Sequence, residues 1–395
     1  MTGRERVLAA LSHTEADRVP LDLGSTVDTT IHYAAYQRLL RHLGLMQFAR
    51  PAEQSRYLDL ACGAVEIDQD VLMSLKVDTR GVVPPASSTW EGTVRVEDGS
   101  EVIRDRLGAT WTRSQNGYYF DQRPGGYPLA NLSSLDDFDD SAWWTQLEQT
   151  DWIGNLRGRL EAWRNDYAIV VGDPFGGLLA LGFRMRGYEQ FYIDLASNPQ
   201  FACGLMDRFV EFKSAYWASV LAGVGDLIDI VVYEDDLGQQ DRTLLSPSMY
   251  RKLVKPRQKR LFEKIARQGD SPPKILMHSD GAISEIIPDL IEIGVDILNP
   301  IQVSAAGMDP ALLKRTFGDD LVFWGAGADS QGVLSFGTPA EVRSEVERHL
   351  SIMAPGGGYV FTTIHNIQPE VPPENVMAML QALEDFGEAR LRVVP

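Results

Sequence analysis

Lys274-Ile275-Leu276-Met277-His278-Ser279-Asp280-Gly281 is a short apolar run that ends in polar residues. It reads as a buried strand whose last side chains meet a loop. The same pattern returns at Tyr359-Val360-Phe361-Thr362-Thr363-Ile364-His365-Asn366. In α/β enzymes chemistry gathers at such strand ends, because the strand holds the side chain and the loop opens it to substrate.

Working outward, strand-like and helix-like segments alternate from about residue 165. The strands expected are Ala168–Val171, Ile228–Tyr233, Ile275–His278, Val295–Leu298, Val322–Trp324 and Tyr359–Thr363. Two more fit earlier, at Arg18–Leu23 and Val77–Val83. Asn198-Pro199, Ser246-Pro247 and Thr338-Pro339 each set a capping residue before a proline, which starts a helix. Thr338 with Glu341 matches a capping box. In that helix Val342, Val346, His349, Leu350 and Met353 share one face, so His349 reads as a packed or surface residue. Repeated βα units imply a parallel sheet, and eight strands suit an α/β fold of the (β/α)₈ TIM-barrel type. The whole chain, 1–395, reads as one domain.

Between about residues 87 and 140 the pattern changes. Thr93–Val96, Val102–Arg104 and Ala109–Trp111 look like hairpin strands joined at Asp98-Gly99 and Leu107-Gly108. This is expected to be an insertion near the barrel mouth. Tyr118, Tyr119, Phe120, Trp143 and Trp144 cluster in it or just after it. Two readings stand: an aromatic substrate pocket with Tyr118 and Phe120 as contacts, or the insertion's own packing.

The chain has 55 acidic and 37 basic residues, a formal net charge of −18. That opposes a protein gripping nucleic acid or an anionic membrane through bulk charge. Its two cysteines, Cys62 and Cys203, offer neither a disulfide framework nor a Cys-rich zinc site. No signal peptide or membrane span is read, so a cytoplasmic location is expected.

Two imidazoles and a carboxylate, His278, His365 and Asp280, suit a divalent metal. Residues two apart in a strand face one side, so His278 and Asp280 can address one ion. Glu234-Asp235-Asp236 follows another strand. Three consecutive acids there read most simply as a solvated loop, with Asp236 the one expected to face inward. Asn299 and Gln302 end a further strand and are candidate substrate contacts. Gly325-Ala326-Gly327 lets a ligand approach the backbone, but no phosphate-loop fingerprint accompanies it.

These segments together resemble the uroporphyrinogen decarboxylase superfamily. The resemblance rests on Arg4-Glu5-Arg6-Val7-Leu8-Ala9-Ala10-Leu11 with Asp17-Arg18-Val19-Pro20, on Asp235-Asp236-Leu237-Gly238 followed by Ser246-Pro247, and on His278-Ser279-Asp280-Gly281. Gly294-Val295-Asp296-Ile297-Leu298-Asn299-Pro300 and His365-Asn366-Ile367-Gln368-Pro369 extend it, with Val371-Pro372-Pro373-Glu374-Asn375. It implies a (β/α)₈ barrel with the active site at the strand C-termini. Porphyrinogen decarboxylases carry an arginine-rich motif near the N-terminus, whereas Leu21-Asp22-Leu23-Gly24-Ser25-Thr26-Val27 here has no arginine. The chain looks more like the corrinoid-dependent methyltransferase branch, whose thiol-methylating members bind zinc through His-x-Cys and a distant Cys. His278 matches that histidine; Asp280 and His365 stand where the two cysteines would be.

Exchanging thiolates for carboxylate and imidazole hardens the site and favours an oxygen ligand. The expected function is therefore O-demethylation: zinc or another divalent metal assists transfer of a methyl group from a methoxylated small molecule to a corrinoid, a cobalamin on a partner protein. Asp236 or Glu234 would assist the leaving oxygen as catalytic acids. A homodimer is left open. The alternatives are a cofactor-free decarboxylase and a metal-dependent lyase or hydrolase on the same barrel.

Overall fold

The computed structural model describes residues 1–52, 56–83, 94–115, 117–148, 152–267 and 272–393. Seven parallel strands form its main sheet: β1 (Thr79–Val82), β2 (Ala168–Val171), β3 (Ile230–Glu234), β4 (Lys274–His278), β5 (Ile297–Asn299), β6 (Val322–Asp329) and β7 (Tyr359–Ile364). They lie side by side in chain order. Helices join successive strands, which is what parallel pairing between neighbours requires.

The ring closes through Pro20, Leu21 and Asp22. On one side the Asp22 N–H donates to Phe361 O and the Phe361 N–H to Pro20 O, both at 2.9 Å; on the other, the Asp78 N–H donates to Leu21 O at 2.9 Å. The strand expected at Arg18–Leu23 thus shrinks to this short pairing, a correction with a local cause. Pro20 has no N–H to donate. The Leu21 N–H goes to the Asp78 carboxylate at 2.8 Å, and Gly24 turns the chain away at φ 87°.

Alternation sorts the strand residues. Val170, Val232, Leu276, Ile297, Trp324 and Val360 point into the barrel and pack together. Val7 and Ala10 of the helix Gly3–Leu11 join them and plug the N-terminal end. Ile169, Tyr233, Met277, Leu298 and Phe323 point outward into the helical layer. By the same parity Glu234 and His278 face inward, one step above Val232 and Leu276.

The insertion forms an antiparallel four-stranded sheet, Arg95–Glu97, Ser100–Arg104, Thr110–Ser114 and Asp121–Gln122. Thr93, expected in its first strand, lies outside the described residues. The turn at Asp98-Gly99 has φ 48° and 77°, the positive pair that suits a tight hairpin. Asp105, fully buried, docks this sheet. It accepts from the Leu107 and Ala109 N–H groups and Trp111 Nε1, each at 2.9 Å, and from Arg184 Nε at 2.6 Å. Trp143 lies against Phe138, Phe209 and Phe212, so that indole belongs to the core.

The remaining cap and helix expectations hold. Thr338 and Glu341 form the reciprocal capping box, and His349 is buried against Gly327 O at 3.1 Å. The glycines of Gly325-Ala326-Gly327 make room for neighbouring strands: a Cβ on Gly327 would lie 2.2 Å from Thr362 O. Among the described residues no helix is long and apolar enough to cross a membrane.

Candidate metal centre at the barrel mouth

Strand register assembles the first part of the site. Glu234 is paired with His278, and His278 with Asn299, so three strand ends carry three polar residues at one level. Asn299 is almost fully buried. Its amide NH₂ donates to Trp324 O at 2.7 Å, which turns its oxygen to His278 Nδ1, also at 2.7 Å. Asn299 therefore orients a histidine, where the sequence had suggested a substrate contact. Nδ1 keeps its proton, and Nε2 is the nitrogen whose lone pair is available to a metal.

His365 follows β7 with a left-handed backbone, φ 62°. Its Nε2 lies 3.6 Å from Asp280 Oδ2 and 3.5 Å from Asp28 Oδ1. Asp28 was missed in the sequence. It sits in a single helical turn, Val27–Thr29, capped by Thr26. Its Oδ2 is buried with no hydrogen bond, and the nearest cation is His278 Nδ1 at 3.4 Å. Asp28 too follows a barrel strand position, so the strand-end rule could have found it. That position has no apolar run to announce it.

Donor atoms of Asp28, His278 and His365 all lie within 4.8 Å of one another, as do those of Asp236, His278 and Asp280. Two donors bound tetrahedrally to one zinc ion at about 2.1 Å stand about 3.4 Å apart. The 3.5 and 3.6 Å separations at His365 are close to that value. An orphaned buried carboxylate oxygen and two histidines locked by asparagine oxygens fit a divalent cation.

The electrostatics agree. Burial opposes charge on His278, but the carboxylates of Asp28, Asp280 and Asp236 outweigh it and push the imidazole up to about 10. Without a metal the histidine is itself the cation. Glu234 is held protonated well above the usual carboxylate range, by burial and then by Asp28.

The neighbouring acids divide differently from the expected solvated loop. Asp235 is 1% exposed. It accepts from Leu179 N at 3.2 Å, Ala180 N at 2.9 Å and Tyr233 Oη at 3.0 Å, capping the helix Leu178–Arg186. A side chain on Gly177 would strike it at 2.1 Å, so glycine there admits the cap. Burial raises the Asp235 carboxyl to about 6 despite these donors. Asp236 is the exposed one; its Oδ1 accepts from the Asp280 N–H at 2.9 Å at the rim.

Gln302 accepts from the Gly281 N–H at 2.7 Å and reaches Gln240 and Gln331, bracing the loop after His278. Phe120 is buried with Ala61 and Ile103 under the insertion, which is the packing alternative. Tyr118 stays half exposed, its ring 5.5 Å from that of His32.

Comparison with known proteins follows the same lines. The family model described as uroporphyrinogen decarboxylase (URO-D) matches residues 175–386, more than half of the chain. The chain belongs to the uroporphyrinogen decarboxylase family. Curated relatives include the uroporphyrinogen decarboxylase of Thermus thermophilus, 25% identical over 223 residues, 55% of this chain and 56% of that protein. That of Alkalilimnicola ehrlichii is 24% identical over 208 residues, 52% of this chain and 53% of that protein. The chain thus spans about half the length of the curated relatives it matches. A solved methyltransferase from Methanosarcina mazei is similar over 98% of this chain and 99% of its own, with a TM-score of 0.64 and 18% identity.

Proposed function

We propose that this chain is a metal-dependent methyltransferase that takes a methyl group from the oxygen of a methoxylated small molecule and passes it to a corrinoid on a partner protein. The observation that carries this reading is the meeting of Asp28, His278 and His365 at the mouth, with Asp280 Oδ2 3.6 Å from His365 Nε2 and Asp28 Oδ2 left without a hydrogen bond. The donor set is nitrogen and oxygen, which favours a hard Lewis acid over a thiol-binding centre. A divalent ion held there, zinc in the first instance, supplies polarisation of an ether oxygen.

The chain's own residues do the rest. His278 and His365 present Nε2 because Asn299 and Asn366 hold their Nδ1 protons. Glu234, beside His278 at the same level of the barrel, serves as the acid that protonates the departing oxygen. Asp236 holds the Asp280 backbone in place. Tyr118 offers an aromatic face at the rim, which suits an aromatic methyl donor. The Methanosarcina mazei protein is a methyltransferase, in agreement with this reading.

The curated relatives are decarboxylases, which is the second reading. A decarboxylase would bring cations to its substrate's carboxylates, whereas the strand ends here carry Glu234, Asp236 and Asp280. The test incubates metal-loaded protein and cob(I)alamin with methoxy, methylamine and methylthio donors, following methylcobalamin by absorbance. Turnover of methoxy donors is expected. Preference for sulfur or nitrogen overturns the oxygen assignment. Metal-dependent turnover without methyl transfer favours a lyase or hydrolase, and metal-free decarboxylation favours the second reading.

A further inference from the structure

Tyr119 belongs to the insertion, and His365 to the end of β7. Two side chains, Gln368 and Asn366, join them in one line. The Tyr119 hydroxyl meets Gln368 Oε1. The Gln368 NH₂ donates to Asn366 O at 3.1 Å and also to Asn366 Oδ1. Asn366 Oδ1 lies 2.7 Å from His365 Nδ1. Asn366 is 2% exposed, so water does not substitute freely at its step, whereas the Tyr119–Gln368 bond lies at the surface.

The direction of every bond is determined. A backbone carbonyl can only accept, so Gln368 must turn its NH₂ towards Asn366 and its oxygen towards Tyr119. The phenol, able to donate or accept, therefore donates. The same NH₂ requires an acceptor from the Asn366 side chain, which then presents oxygen to His365. Nδ1 of His365 must carry the proton, and the lone pair falls on Nε2. That is the nitrogen facing Asp28 and Asp280.

We propose that Tyr119 is a positioning residue for His365: seating the insertion over the mouth and presenting Nε2 to a cation are one hydrogen-bonded event. The proposal rests on the metal reading of the site. When the insertion lifts, Gln368 loses its outer anchor, its hold on the Asn366 amide loosens, and the His365 tautomer is no longer held. Metal retention and mouth closure are then linked through residues that touch neither metal nor substrate.

The experiment strips the full-length protein with a chelator and titrates it with zinc or cobalt(II). Tyr119→Phe should weaken binding about tenfold and Asn366→Ala between about ten- and a hundredfold, as partners behind metal-bound histidines do. In parallel, NMR of histidine-labelled, metal-free protein reads the His365 tautomer, assigned with His365→Gln. Wild type should show the proton on Nδ1, and Tyr119→Phe a mixture. Wild-type metal affinity and an unchanged tautomer in Tyr119→Phe would overturn the proposal. So would a raised KM for the methyl donor with metal affinity intact, which makes Tyr119 a substrate contact. If stripped wild type binds no ion, the metal reading falls, and the NMR arm alone decides whether Tyr119 orients His365.

Discussion

Asp28 Oδ2 stands 3.4 Å from His278 Nδ1 and makes no hydrogen bond. A buried carboxylate oxygen that accepts nothing is costly unless a cation neutralises it. In the metal-free protein the His278 imidazolium fills that role; with metal bound, the ion takes it over. Asp28→Asn should therefore lower metal affinity by about 100-fold or more, beyond the effect of an outer partner. Isothermal titration with zinc would measure it. The same titration on Asp280→Asn tells which carboxylate is the stronger ligand, and unchanged affinity in both variants would remove the metal assignment.

Metal content gives a second prediction. Elemental analysis of purified protein should find about one divalent ion per chain, since the two donor triads share His278. His278→Ala and His365→Ala should each lose most of it. Full occupancy in both variants contradicts the proposed ligands.

The third prediction concerns the Asp280→Cys variant. A thiolate keeps an ion but donates more charge to it, lowering its pull on an ether oxygen. The variant should retain metal and lose methoxy-donor turnover. Turnover at the wild-type rate would show that the hardness of the site is irrelevant to its chemistry.

His32 yields a pH-dependent stability. It is 4% exposed, and its Nδ1 accepts the Ala34 N–H at 3.1 Å as a helix cap. Burial lowers its pKa to about 4, partly offset by the Tyr118 carbonyl. The unfolded chain takes up the proton near pH 6.5, before the folded one does. The stability that rests on a neutral His32 is complete above pH 6.5 and is lost as pH falls towards 4, to a limit of about 3 kcal/mol. Asn caps a helix without titrating. Urea unfolding of His32→Asn against wild type between pH 7 and 4 should show a flatter profile in the variant; parallel profiles would refute it.

Docking of the insertion supplies the last. Arg184 Nε lies 2.6 Å from Asp105 Oδ2, with Asp105 fully buried. Removing one partner of such a pair leaves a buried charge and costs about 3 to 5 kcal/mol. Arg184→Met should destabilise the protein by that order in urea and speed proteolysis within residues 95–122. A loss under about 1 kcal/mol would mean the pair is effectively solvated.

The sequence by itself determined the barrel and two of its metal candidates. Alternating βα segments require parallel pairing, and the period-two strand places His278 on the inner face whatever the loops do; that Glu234, and not Asp236, is the inward acid came from the strand's observed end. His278 and His365 were legible because each ends an apolar run. Tertiary structure decided what no local pattern encodes. Asp28 joins the site because ring closure through Pro20–Asp22 carries the following turn to the same mouth as β4 and β7. Asp235 is buried because a helix N-terminus from another segment needs an acceptor there, while its neighbour Asp236 stays at the rim. Asn299 turned out to serve His278, since only the position of Trp324 O sets which way its amide points. Local chemistry fixes which residues can bind or titrate; long-range packing decides which of them share one low-dielectric pocket and which are used up holding others in place.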